Sequence, residues 1–187
     1  MRKFVARIFL GILGLAALWS VPFHSVEAAL KPGTMKDYRI VVPGVLSRSS
    51  VPSGKQLLGL KEKGWKSVIT LVSSGELAAY KKIDPTLTEE FKRSGLKKFS
   101  VIIPESQPPT EAQALQFLAI VKNPKNQPVH IYCRKGHART GTMIALYRYS
   151  VQKWTMKKAI REAERYGSGI GKKQRAWLTE WARTHPN

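Results

Sequence analysis

The stretch VHIYCRKGHARTG, residues 129–141, decides how this chain is read. Residues 128–132 have the character of a buried strand, and Arg139-Thr140-Gly141 opens a helix that is apolar on nearly all sides over 142–151. Between them lies a short loop with Cys133 at its start and Gly136 in its middle. A loop wrapped from a strand to a helix N-terminus turns successive backbone N–H groups inward, and this makes a nest for the three non-bridging oxygens of a phosphate. The amides concerned are those of Arg134, Lys135, Gly136, His137, Ala138 and Arg139. Gly136 permits a turn where a side chain would clash. Arg139, six residues after the cysteine, is placed to hold two oxygens bidentately, a geometry that a lysine lacks. Helix dipole, inward amides and Arg139 all favour the thiolate of Cys133, which makes it a candidate nucleophile. The Thr140 hydroxyl is expected to hydrogen-bond the sulfur. A lone cysteine is ordinarily a buried core residue; here the strand, the central glycine and the Arg-Thr-Gly helix start point to chemistry instead.

Working outward, residues 37–42 and 45–47, broken by Pro43-Gly44, predict a strand or short hairpin at a sheet edge. A helix is predicted over 53–63, N-capped by Ser53, and a buried strand over the β-branched run 65–72. Residues 73–95 read as irregular or weakly helical, and 98–103 as a strand. Residues 104–109 (PESQPP) form a loop, after which Thr110 and Gln113 make a capping box for a helix to Val121. Two helices over 155–166 and 172–184 close the chain, the second with Ile170, Trp177, Leu178 and Trp181 on one face. The expected fold class is α/β, with a mainly parallel central sheet of four to five strands flanked by helices in a single domain.

Of the 187 residues, 43% are apolar and 24% charged, as in an ordinary globular domain. Lys and Arg number 32 against 12 Asp and Glu, a net charge of +20 that calls for an anionic partner. One cysteine excludes an internal disulfide, and with four histidines it leaves little for a zinc cluster, so no metal or other cofactor is expected. Arg2, Lys3 and Arg7 precede an apolar run over 8–23, shorter than the ~20 residues of a comfortable membrane span. Residues 1–28 are accordingly read as a signal peptide cleaved after Ala28, leaving 29–187 as the domain of an exported, periplasmic or secreted protein. An uncleaved N-terminal anchor is the alternative. Removing the leader takes away three basic residues and Glu27, so the basicity belongs to the domain.

The Cys133-x5-Arg139-Thr140 pattern resembles the signature of the cysteine-dependent protein tyrosine phosphatase superfamily, in particular its compact dual-specificity-like members. The resemblance extends to residues 43–49, 58–71, 109–121 and 126–129 and to the helices after Gly141. It implies phosphomonoester hydrolysis through a phosphocysteine intermediate, without metal. Two departures stand out. Tyr132 occupies the place before the nucleophile where the family usually has His, and His130 lies two residues back on the same strand face. The family draws a general acid, generally Asp, from the loop that here carries Glu105, and the two aspartates, Asp37 and Asp84, lie elsewhere. Glu105 is the first candidate acid and Asp84 the second. Arg134, Lys135 and His137 around one phosphate site resemble the basic loops of phosphoinositide and inositol-polyphosphate phosphatases, so the implied substrates are phosphorylated proteins, inositol phosphates or phosphoinositides.

Two other readings stand beside this one. The chain is alternatively a phosphate-reading module of the same fold, or a basic binder of anionic surfaces, a membrane surface being compatible with its charge. Against nucleic acid, the basic residues are scattered and show no arginine-rich run interleaved with aromatics. A monomer is expected.

Overall fold

A computed structural model of the chain describes residues 35–187. The expectations for residues 1–28, leader and cleavage alike, lie outside the described residues. The strands are β1 (Arg39–Val42), β2 (Leu46–Ser49), β3 (Ser67–Thr70), β4 (Lys97–Ser100) and β5 (Val129–Tyr132), and they form one sheet in the order β1-β2-β5-β3-β4. β1 pairs antiparallel with β2 around Pro43-Gly44, and the other pairings are parallel. Parallel strands need both faces covered, and β2, β3 and β5 are buried along their whole lengths. This is the mainly parallel α/β sheet the sequence predicts.

The helices are α1 (Gly54–Glu62), α2 (Ser74–Ile83), α3 (Leu87–Ser94), α4 (Glu111–Lys122), α5 (Ala138–Ser150), α6 (Met156–Ala163) and α7 (Lys172–Thr184). Ser53 caps α1 in a reciprocal box with Gln56, and Thr110 caps α4 in a box with Gln113, as the sequence predicts. α5 is buried from Arg139 through Tyr149, so a single helix forms the centre of the core.

One predicted element is corrected and two are refined. Residues 73–95 hold two helices, α2 and α3. None of the α2 residues is fully buried and only Leu77 and Tyr80 pack partly on the core, so its apolar face is narrow and its clearest sequence sign is the Ser73–Glu76 capping box. α5 starts at Ala138, one residue before the Arg139-Thr140-Gly141 opening expected from the sequence, and its first turn serves the loop. β1 and β2 form the hairpin expected at the edge of the sheet, with β1 outermost. β2 is the inner strand of that hairpin and buries Ser47, Arg48 and Ser49.

The two serines are absorbed by a network across the β2–β5 pair. Ser49 Oγ donates to the Ser50 carbonyl at 2.6 Å, so it accepts from His130 Nε2 at 2.8 Å. His130 Nδ1 then accepts from Ser47 Oγ at 2.8 Å, and Ser47 accepts from Trp65 Nε1 at 2.7 Å. Every member is satisfied only when His130 is neutral, and burial pushes its pKa down to about 3. Its folded pKa lies below the unfolded value near ~6.5, so its contribution is complete above that pH and declines as pH falls toward about 3. Thermal stability should therefore fall by about 1 kcal/mol per pH unit below ~6.5. His130→Gln should flatten that dependence; an equally steep acid limb in the variant would assign the loss to other groups.

Candidate active site

Cys133 is buried at the end of β5, and the chain turns over residues 133–137 into α5. Gly136 has φ +74°, and a Cβ there would lie 2.6 Å from the Ser49 carbonyl carbon and 2.7 Å from Ser50 N. The loop is therefore pressed against the end of β2, where only glycine fits. Its carbonyls are bound from outside. Arg134 O accepts from Val51 N at 3.4 Å and from the Tyr80 hydroxyl at 3.4 Å, and Gly136 O accepts from Arg48 Nη2. Carbonyls held outward turn the amides inward. Among the described residues no side chain caps α5, and the amides of residues 134–139 donate to no protein group. Six consecutive amides without a protein acceptor are what the anion nest expected from the sequence requires.

Arg139 is buried, and its guanidinium is gripped on one edge. Nη2 meets Glu76 Oε1 at 2.7 Å and Nη1 meets Oε2 at 3.0 Å, while Nη1 also donates to the Ile103 carbonyl at 3.0 Å and the Leu71 carbonyl at 3.3 Å. This arrangement consumes the Nη1–Nη2 edge and leaves Nε–H and the outer Nη2–H for an oxyanion. The hydrogen bonds of Arg139 pull Glu76 down to about 2. The clamp thus stays ionised through the neutral range and weakens only as pH falls through about 2. Glu76 was not singled out from the sequence, although Ser73-Ser74-Gly75-Glu76 carries the S-x-x-E signal that was read correctly at Thr110.

A cavity of about 420 Å³ opens over the loop, and Cys133, Arg134, Lys135, His137, Ala138 and Arg139 line it. Among the described residues, Glu105 is the one carboxylate in its lining. Its loop is tied to α7 by Gln174 Nε2, which donates to Gln107 O at 3.1 Å. Lys172 and Lys173, at the first turn of α7, also line the cavity, with Lys173 Nζ donating to Gln107 Oε1 at 3.4 Å; the sequence reading does not include them.

Several predicted roles change. Glu105 is ion-paired with Arg134, both side chains being about half exposed. Asp84 lies outside the cavity and ends α2, accepting from Gly54 N at 2.8 Å and from the Thr86 hydroxyl at 2.6 Å. Asp84 is therefore withdrawn as a second acid. The Thr140 hydroxyl is buried and makes no hydrogen bond to any described group, the Cys133 sulfur included. His137 packs on Gly167, where a Cβ would fall 2.1 Å from its ring. Ser168 N donates to its Nδ1 at 3.4 Å, so Nε2 carries the proton toward Asp37 Oδ2 at 3.2 Å. The imidazole is thus committed to the wall of the cavity by Gly167, Ser168 and Asp37.

The sheet order, the phosphate nest and the buried cysteine–arginine pair define a cysteine-dependent phosphatase architecture. The family model described as DSP-PTPase phosphatase fused to NAD+ kinase matches residues 43–180, and the chain belongs to this family. It is 33% identical over 129 residues to the inositol diphosphatase SIW14 of Saccharomyces cerevisiae, covering 67% of this chain and 43% of that protein. It is 36% identical over 59 residues to the probable tyrosine-protein phosphatase DG1060 of Dictyostelium discoideum, 32% of this chain and 35% of that protein. The chain thus spans less than half the length of these curated relatives. Among solved structures, Tk-PTP in its G95A form superposes with TM-score 0.67 at 21% identity over 79% of this chain and 95% of that one.

The clamp is testable without turnover. Glu76→Ala should weaken binding of inorganic phosphate about tenfold by calorimetric titration, since the guanidinium loses its fixed edge. A folded variant with parental phosphate affinity would show that Glu76 does not orient Arg139.

Proposed function

We propose that this protein hydrolyses phosphate monoesters through a phosphocysteine intermediate at Cys133. The observation that carries the reading is the meeting of Cys133, six unengaged amides and the open edge of Arg139 in one cavity. The thiolate attacks phosphorus, the bond from phosphorus to the ester oxygen breaks, and that oxygen takes a proton from Glu105. Glu105 then takes a proton from water, whose oxygen attacks the same phosphorus. The P–S bond breaks, and inorganic phosphate and the thiolate are released. The exposed Glu105–Arg134 pair contributes little stability, so a phosphorylated substrate that engages Arg134 frees the carboxyl for proton transfer. Catalysis is then positioning plus stabilisation of charge on the transferred phosphoryl group.

The substrate class follows from the rim. Arg134, Lys135, Lys172 and Lys173 face one carboxylate, an excess of positive charge that suits a substrate with more than one phosphate. The likeness to an inositol diphosphatase supports inositol polyphosphates or phosphoinositides over singly phosphorylated proteins. The basic-then-apolar pattern of residues 2–23 supports export, and amino-terminal sequencing of the protein recovered after fractionation tests it: a start near Ala29 fits, and an intact cytosolic Met1 contradicts it.

Cys133→Ser should abolish phosphate release while retaining substrate capture, and EDTA should leave the parent's rate unchanged. Appreciable turnover by the serine variant would overturn the mechanism. Replacing Lys172 and Lys173 together by Ala should raise KM for an inositol polyphosphate about tenfold or more and leave an aryl monophosphate nearly untouched. Equal effects on both would remove the polyanion assignment. Glu105→Gln should slow an alkyl phosphate about 10²-fold or more and an activated aryl phosphate far less, because the latter's oxygen departs unprotonated. Equal slowing of the two would argue against Glu105 as the acid.

A further inference from the structure

The phosphatase reading leaves one buried charge unexplained. Arg48, in the middle of β2, is 1% exposed and heads the largest fully buried side chains of the protein. Register pairs it with Ile131, two residues before Cys133 on β5, so its side chain leaves the sheet on the face toward which Ile131 points. Nη2 donates to the Gly136 carbonyl, and the Tyr166 ring covers the guanidinium with its centroid 4.3 Å from Cζ. Among the described residues Nε and Nη1 have no acceptor, and no carboxylate forms an ion pair with Arg48. Glu162 and Asp37, the acids that bear on it at longer range, are engaged by Arg148 at 2.6 Å and by His137 at 3.2 Å. Burial lowers the pKa of Arg48, and Tyr166, Cys133, Glu162 and Asp37 oppose that shift. An arginine stays charged even so.

A buried cation without a counter-ion destabilises a fold, and what could answer this one is anionic only when the site works: the Cys133 thiolate and a bound oxyanion. The hydrogen bond has a second consequence. The Gly136 carbonyl and the His137 N–H belong to one planar trans peptide, so fixing the carbonyl toward Arg48 fixes that N–H in the opposite direction. Polarising the carbonyl also strengthens the N–H as a donor. We propose that Arg48 is a positioning residue for phosphoryl transfer: from behind the loop it holds the Gly136–His137 peptide with its N–H toward the oxyanion and supplies the charge that answers the thiolate. Arg139 grips the phosphate from the front, and Arg48 braces the cradle from the rear.

The inference rests on the phosphatase reading, and its test separates the two. Arg48→Met and Arg48→Lys are compared with the parent by thermal melting, orthovanadate inhibition, kcat and KM on an aryl phosphate, and alkylation of Cys133 by iodoacetamide at pH 6. Without anion, Arg48→Met should melt at or above the parental temperature, because an apolar chain replaces an unpaired cation. The same variant should bind vanadate about 10- to 100-fold more weakly, lose kcat more than KM changes, and be alkylated severalfold more slowly. Arg48→Lys, which keeps the charge, should recover the alkylation rate. A purely structural arginine predicts the reverse, a lower melting temperature with parental alkylation and vanadate affinity, and that result overturns the proposal. Should the Met variant fail to fold, the Lys variant decides: parental alkylation with vanadate binding weakened severalfold supports the role, and parental values in both contradict it. A parent that neither binds vanadate nor turns over substrate overturns the phosphatase reading, and the role of Arg48 with it.

Discussion

The bidentate pair between Arg139 and Glu76 is the interaction on which the site depends. It joins the first turn of the central helix α5 to the first turn of α2, and Arg139 reaches the carbonyls of Leu71 and Ile103 beyond β3 and β4 at the same time. Four separate pieces of chain thus converge on one guanidinium. Because α2 has no fully buried residue and packs on the core only through Leu77 and Tyr80, Glu76 and the Tyr80 contact to Arg134 O help secure it to the domain as well as serving the loop. Orientation of the catalytic arginine and attachment of a surface helix are therefore one physical event. A side chain with a freely rotating charge could not present a fixed edge to two oxygens.

Beneath the loop the protein tolerates an unusual density of buried polar groups. β2 carries Ser47, Arg48 and Ser49 at positions where a parallel strand normally holds Val or Ile. His130 and Trp65 absorb the two serines in a chain of four hydrogen bonds ending on a backbone carbonyl. Arg48 lies on the opposite face, against the loop and Tyr166. The departure at the residue before the nucleophile belongs to the same region: Tyr132 is buried against Thr70, and the family's usual imidazole position is filled by a ring that stacks on His130 at 6.3 Å. The strand face that feeds the loop is thus held rigid by neutral hydrogen bonds and ring packing.

Much of this was legible in the sequence, for identifiable reasons. Cys133, Gly136 and Arg139 were readable because their chemistry demands fixed spacing along a single strand–loop–helix unit. The helices α1, α4 and α7 were readable from caps and apolar faces. Residues whose roles arise from long-range contact were not. Glu76 lies 63 positions from Arg139, Arg48 lies 88 from Gly136, and the α7 lysines reach the cavity only because α7 packs back across the domain. The capping signal at Ser73–Glu76 was present, yet a helix with only Leu77 and Tyr80 partly packed on the core gives periodicity little to detect. Thr140 and Asp84 failed for a related reason: a residue's type makes a hydrogen bond or a proton transfer chemically available, and only the fold determines what lies within reach.

The account stands or falls on the covalent step. Rapid acid quench during turnover of an aryl phosphate, followed by mass analysis of the peptides, should find one phosphoryl group attached to Cys133 and to no other residue, with none in Cys133→Ser. A phosphoryl group on another side chain, or steady turnover with no phosphoenzyme and an active serine variant, would contradict it.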